Sequence, residues 1–169
     1  NLGKGRIVVL GDWSLFTQVR WLTGKPYFEA NNFDFSRNVF EYLRGAADLT
    51  ATSVEARKSS YKLDKKIKIR MTLKNIGTQS SFKTTVDVYL SKKNKLNAKN
   101  NTTYLLGSIN LSTIHPDISR KVNFKSDIPE DIELGKYRVI IKIDPIDEWD
   151  ELYKINNEVK SKKKVKITN

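Results

Sequence analysis

Residues 66–77 read KIKIRMTLKNIG, and their alternation decides the architecture of most of this chain. Ile67, Ile69, Met71 and Leu73 alternate with Lys66, Lys68, Arg70, Thr72 and Lys74. Successive side chains of an extended backbone point to opposite faces, so a period of two sets one apolar row against one charged row. This is the pattern of a half-buried antiparallel strand, and Asn75-Ile76-Gly77 ends it with turn-forming residues.

The same period recurs on either side. Phe82, Thr84, Val86, Val88 and Leu90 alternate, as do Tyr137, Val139, Ile141 and Ile143. Shorter strands are expected over residues 49–54, 104–111, 121–124 and 159–167. Seven strands separated by turn signals in about 120 residues imply a mainly β fold, a sandwich of two antiparallel sheets.

Residues 1–47 read differently. The unalternated run from Ile7 to Leu10, followed by Gly11-Asp12, has the look of a strand buried on both faces. Leu15, Phe16, Val19 and Leu22 recur at helical spacing until Gly24 and Pro26 break it, and Asn32 or Asp34 can cap a second helix striped by Phe35, Val39, Phe40 and Leu43. Strand, helix, helix in so few residues cannot cover both faces of its own strand. This short α/β segment must lean on the β part, on another copy of the chain or on residues upstream. The expected division is therefore 1–47, the tail of a larger domain, and 48–169, the sandwich.

Composition bounds the rest. The 169 residues carry a net charge of +12 with 38% hydrophobic side chains, which is ordinary for a globular protein. Residues 1–48 hold +1 of that charge, and the later part holds +11. There are no cysteines, so disulfides, thiolate metal sites and cysteine nucleophiles are excluded. No apolar run approaches the roughly 18 residues that span a bilayer. The chain opens at Asn1 without a methionine or a leader and reads as a fragment or a processed product.

Residues 143–157, IDPIDEWDELYKINN, place Asp144, Asp147, Glu148, Asp150 and Glu151 within eight residues of an otherwise basic chain. These are candidate oxygen ligands for calcium, which takes carboxylates and carbonyls. The alternative is that Asp and Asn side chains bond nearby backbone donors while Trp149 packs over the end of the sandwich. The spacing is not that of an EF-hand loop, and neighbouring basic strands can balance the charge without a metal, which favours the loop-tying reading.

Lys160, Lys162, Lys163, Lys164 and Lys166, with Lys66, Lys68, Arg70 and Lys74, can make a phosphate- or glycan-binding face. They can also be the solvated faces of strands, where lysine blocks edge-to-edge pairing. The two groups are expected in opposite sheets, with their charge spread rather than focused. No aromatic residues interleave with them to stack bases, so nucleic acid is not an expected partner. His115, beside Pro116, reads as a surface-loop residue, and Asp12 as a turn or cap residue. Asn100, Asn101 and Asn110 head N-glycosylation acceptor patterns.

Taken in order, DLTATSV (48–54), LKNIGTQSS (73–81), VYLSKKNKL (88–96), LLGSINL (105–111), LGKYRVIIKIDP (134–145) and the acidic stretch ending in Asn156-Asn157 resemble the CARDB domain, a cell-adhesion-related immunoglobulin-like module of bacterial and archaeal surface and secreted proteins. Asp144-Pro145, Glu148, Glu151 and Asn156-Asn157 fall in the family's register, while Lys154 and Ile155 stand where it often has acidic residues. The resemblance implies a seven-stranded immunoglobulin-like sandwich used as a spacer or interaction module, with no catalytic residues. GKGRIVVLGD (3–12) and FSRNVFEYL (35–43) resemble the C-terminal end of a glutamine-amidotransferase-like α/β domain. That resemblance would leave the nucleophile-bearing turn upstream of Asn1.

The function expected is a non-enzymatic surface or secreted module for adhesion or positioning, extracellular or at the cell surface. Its partners would be other domains of the same parent protein or a surface protein or glycan, and residues 1–47 leave self-association open. The alternative is the C-terminal accessory region of a secreted hydrolase such as a protease, stabilising it or holding it near substrate. No cofactor is expected unless calcium binds.

Overall fold

The computed structural model describes residues 45–96, 102–149 and 154–169. The strand, helices and Phe35 stripe expected in residues 1–44, with Asp12, lie outside these residues, as do Asn100, Asn101, Asp150 and Glu151. The described strands belong to the unit Ala47–Asn169.

Among the described residues nine strands form two sheets. They are β1 (Leu49–Ala56), β2 (Ser60–Lys62), β3 (Ile67–Asn75), β4 (Thr84–Ser91), β5 (Thr103–Leu111), β6 (Ser119–Ser126), β7 (Gly135–Ile143), β8 (Glu158–Lys160) and β9 (Val165–Thr168). One sheet has the order β1-β3-β6, and the other β2-β9-β7-β4-β5 with β8 also on β7. Every strand expected from the period-two pattern is present, and the fold is mainly β and immunoglobulin-like.

The alternation works as physics requires. Ile67, Ile69, Met71 and Leu73 are buried on one face of β3, and Val86, Val88 and Leu90 on one face of β4. Together with Tyr137, Val139, Ile141 and Ile143 of β7 they form a single apolar core, which is the main driving force for folding. Phe82 breaks the expected run: it is 59% exposed, and the strand begins only at Thr84.

Two details depart from a seven-stranded antiparallel sandwich. After β1, residues 57–59 cross from one sheet to the other, so the chain arrives beside β9 travelling in the same direction. β2 therefore pairs parallel to β9, through Ser60–Lys166, Tyr61–Ile167 and Lys62–Thr168. The strand expected over residues 159–167 is also divided. Ser161 turns inward, 2% exposed, and its amide still donates to Val139 O at 2.8 Å. Its hydroxyl accepts from Val139 N at 3.1 Å and donates to Lys163 O at 2.7 Å, which lifts residues 162–164 off the sheet.

A tyrosine at the start of β7 closes the corner before it. The Tyr137 ring is fully buried, and its hydroxyl donates to the carbonyl of Glu133, four residues upstream. This is the tyrosine corner of immunoglobulin-like sandwiches.

Candidate functional site

The acidic connection after β7 is held by its own side chains. Asp144 is 4% exposed, with a left-handed φ of 47° that aspartate tolerates better than most residues. Its carboxylate accepts from Thr84 Oγ1 at 3.1 Å on one oxygen and from Trp149 N at 3.0 Å on the other. The amide of Asp147 donates to Asp144 O at 3.0 Å, closing a turn around Pro145 and Ile146. Trp149 Nε1 donates to Lys83 O at 3.1 Å, and its ring stacks on Phe82 with centroids 4.3 Å apart.

Of the five candidate calcium ligands, Asp144 is thus engaged by the loop, Asp147 pairs with Lys154 at 2.8 Å and Glu148 is exposed. Among the described residues no group of three or more His, Asp or Glu side chains is placed to hold a metal ion.

The Asn156-Asn157 pair ties this connection to the start of the domain. Asn156 Nδ2 donates to the Asp48 carboxylate at 2.7 Å, Thr50 Oγ1 donates to Asn156 O at 3.1 Å, and Ile143 N donates to Asn157 O at 2.9 Å. Asp48 is 2% exposed, and burial pushes its carboxyl above the ordinary carboxylate value although the Asn156 bond pulls the other way. Its amide donates to Asn75 Oδ1 at 3.1 Å. Asn75, fully buried, also accepts from Gly77 N and donates to Gln79 O and Ile114 O, so it organises an end of the core as well as a turn.

The other candidates lie apart. Asn110 is exposed on β5, and the hydroxyl of Ser112 in its acceptor pattern is bonded by Arg120. His115 is exposed in a loop, with Nδ1 2.8 Å from Ser80 Oγ.

The basic residues give the least expected result. Lys66 and Lys68 belong with the three-stranded sheet and Lys160 to Lys166 with the other, as anticipated, but their charge is not spread. The 57–59 crossover brings Lys66 and Lys68 to one edge with Lys162, Lys163 and Lys164. A hollow of about 330 Å³ is lined by Arg57, Lys58, Lys162, Lys163 and Lys164 together with Glu55 and Ser161. A second, of about 380 Å³, shares Lys58 and adds Lys65, Lys66, Lys68 and Lys125. A third, of about 230 Å³, joins Arg57 to Lys68 and Lys125. Arg70, Lys74, Lys160 and Lys166 line none of the three. What sequence reasoning missed was Arg57-Lys58, a basic pair in a connection too short to look like a site.

The backbone under this edge is pinned. Arg138 Nη1 donates to Ser161 O and Lys162 O, each at 2.7 Å. The buried Tyr61 donates to Lys68 O at 3.0 Å and accepts from Lys58 N at 3.2 Å, and Lys166 N donates to Ser59 O at 2.8 Å.

Among the described residues no helix is long and apolar enough to cross a membrane. No curated protein matches the chain. The crystal structure of the CARDB domain of the PF1109 protein from Pyrococcus furiosus, in complex with di-metal ions, is similar at 19% identity and TM-score 0.52, covering 72% of this chain and 93% of that one. The solution structure of the same domain gives 22% identity and TM-score 0.50, with 72% and 95% covered. A domain, residues 272–376, of a protein from Methanosarcina acetivorans provisionally named as a cell surface protein gives 15% identity and TM-score 0.52, with 73% and 93% covered. At these identities the likeness shows the fold. Residues 1–45 lie outside the family match, and their resemblance to a glutamine-amidotransferase-like domain finds no support in these comparisons. The CARDB family model matches residues 46–161, and the chain belongs to the CARDB family.

Proposed function

We propose that this chain is a non-catalytic spacer and interaction module of a surface or secreted protein, serving adhesion or positioning. The observation that carries the reading is where the chain enters and leaves the sandwich. Asp48, just before β1, is bonded to Asn156 beside the end of β7, whereas Ile167 of β9 lies opposite Gly135 at the start of β7. The nine residues of β7 separate these points by roughly 26 Å at about 3.3 Å per residue. A module entered at one end and left at the other extends a chain of domains, where one with adjacent termini is better suited to insertion in a loop.

Family membership and the likeness to a domain of a protein provisionally named for the cell surface support the same reading. The buried polar side chains described above are occupied with the fold itself, as in a structural module.

Labelling of intact source cells with a membrane-impermeant amine reagent tests the placement, since the basic edge presents accessible lysines. The protein is expected to be labelled without lysis or recovered labelled from the medium. Labelling that appears only after lysis overturns the reading.

A further inference from the structure

We propose that the basic edge spanning the 57–59 crossover binds a linear anionic polysaccharide, one carrying sulfate or carboxylate groups along its length. This deepens the module reading by naming the chemistry of a partner. The two can fail separately, because labelling reports where the protein is and the titration below reports what it takes.

Each pair of hollows has a lining residue in common, Arg57 for the first and third, Lys58 for the first and second, Lys68 and Lys125 for the second and third, so the three adjoin as one band across the edge of the sandwich. Nine cationic side chains line it against two acids, Glu55 and Asp64. Lys65 is paired with Asp64, whose carboxyl it holds below the ordinary value, and Lys66 with Asp127. Among the described residues the other seven cations form no ion pair. Like charges gathered in this way repel one another, and a bound polyanion relieves that repulsion.

The band is also preorganised. Lys162, Lys163 and Lys164 stand on a backbone fixed by Arg138 and by the inward-turned Ser161, and Arg57-Lys58 on one fixed by Tyr61. Holding the backbone beforehand lowers the ordering cost of binding.

The lining argues for a polysaccharide over the other polyanions. Tyr61 and Phe124 are the aromatic residues that line the band; Tyr61 is 6% exposed with its hydroxyl bonded to Lys68 O, and Phe124 is 9% exposed in the core, so neither ring is free to stack a base. The exposed apolar side chains Leu105, Ile118, Leu134, Ile146 and Ile155 all lie outside the three hollows, so the band has no exposed apolar anchor for a lipid surface. Lysine ammonium groups are point charges, suited to sulfate or carboxylate groups of varied orientation.

The test is a calorimetric titration of the full chain with heparin, which is sulfated, and with polygalacturonate, which carries carboxylates alone. At least one is expected to bind with an affinity that falls as salt rises. The triple variant K162Q/K163Q/K164Q is expected to bind about tenfold more weakly, as lost ionic contacts weaken polyanion binding. K74Q/K83Q/K121Q removes equal charge from outside the band and is expected to stay within about twofold of the parent. The pair R57Q/K58Q, in the centre of the band, is a second variant expected to weaken binding. Equal losses in the two triple variants, no binding to either polysaccharide, or tighter binding to oligo-dT or to phosphatidylserine vesicles would each overturn the proposal.

Discussion

Asn156 donates a 2.7 Å hydrogen bond to the carboxylate of Asp48 across 108 positions of sequence. The bond joins the residue before the first strand to the connection before the last ones. It also gives Asp48 of the DLTATSV segment and Asn156 of the Asn-Asn pair a shared structural role, since each supplies a hydrogen-bond partner for the other in a part-buried setting.

That burial has a pH signature. Desolvation raises the Asp48 carboxyl above its usual 3.8, against the pull of the Asn156 bond. Just above 3.8 the folded chain therefore keeps a proton that the unfolded chain has released. The stability Asp48 contributes is complete below 3.8 and is lost as pH rises through the folded value. Asp48→Asn removes this titration, so the variant should gain on the parent between about pH 3 and about pH 7 in urea unfolding. Parallel stability curves would refute it. Asp48→Ala strands the Asn156 donor and should cost about 1–3 kcal/mol.

Gly107 carries a different constraint. It sits at φ 141° where the β4–β5 register slips between Val88 and Tyr89, and a Cβ built there would meet the Phe124 ring at 3.5 Å. That distance is ordinary contact, so the backbone rather than crowding opposes a side chain. Gly107→Ala should lose about 1–3 kcal/mol in thermal or chemical unfolding. If the midpoint is unchanged, the slip is not fixed by this glycine.

Tyr89 should mark the outer face of β4 in alkali. Burial, then the hydrogen bond to Asp87 at 2.9 Å and the charge of that carboxylate, push its phenol up to about 12. A raised value means that its contribution is complete below 10.0 and lost as pH rises through about 12. In ultraviolet titration, Tyr89→Phe should remove one late-ionising phenolate, and Asp87→Asn should move that phenolate to lower pH. A spectrum in which neither substitution alters the late phase would contradict this.

How far the sequence could be read depended on how local each signal was. The alternation in residues 66–74 and 137–143 showed β3 and β7 because burial of one face is written every second residue. β2 was not legible: three residues carry no period, and the parallel pairing with β9 follows from the 57–59 crossover. The inward turn of Ser161 was hidden in the same way, since its bonds to Val139 and Lys163 depend on β7 being alongside. Asn75 looked like a turn residue and proved to be a fully buried hub, and Tyr137 looked like one more core position although it also closes a corner. The basic edge was legible only in part, since Lys66, Lys68 and Lys162 to Lys164 offered a candidate binding face in the sequence but Arg57, Lys58, Lys65 and Lys125 did not. Lysines 94 residues apart in sequence, Lys68 and Lys162, come to border one band only after two sheets have been stacked and joined by Arg57 and Lys58.

The acidic connection gives the sharpest test of tying against binding. Both oxygens of Asp144 accept protein donors, Thr84 Oγ1 and Trp149 N, so neither has to await a metal. Excess EDTA should leave the melting temperature unchanged, and added calcium should not raise it. Asp144→Ala leaves both donors without this acceptor and should cost about 1–3 kcal/mol with or without EDTA. Trp149 fluorescence should shift in that variant as the ring loses its hold on Phe82. A calcium-dependent rise in melting temperature, absent from Asp144→Ala, would instead mean that the carboxylate exchanges its two donors for a cation and that the connection is a metal site after all.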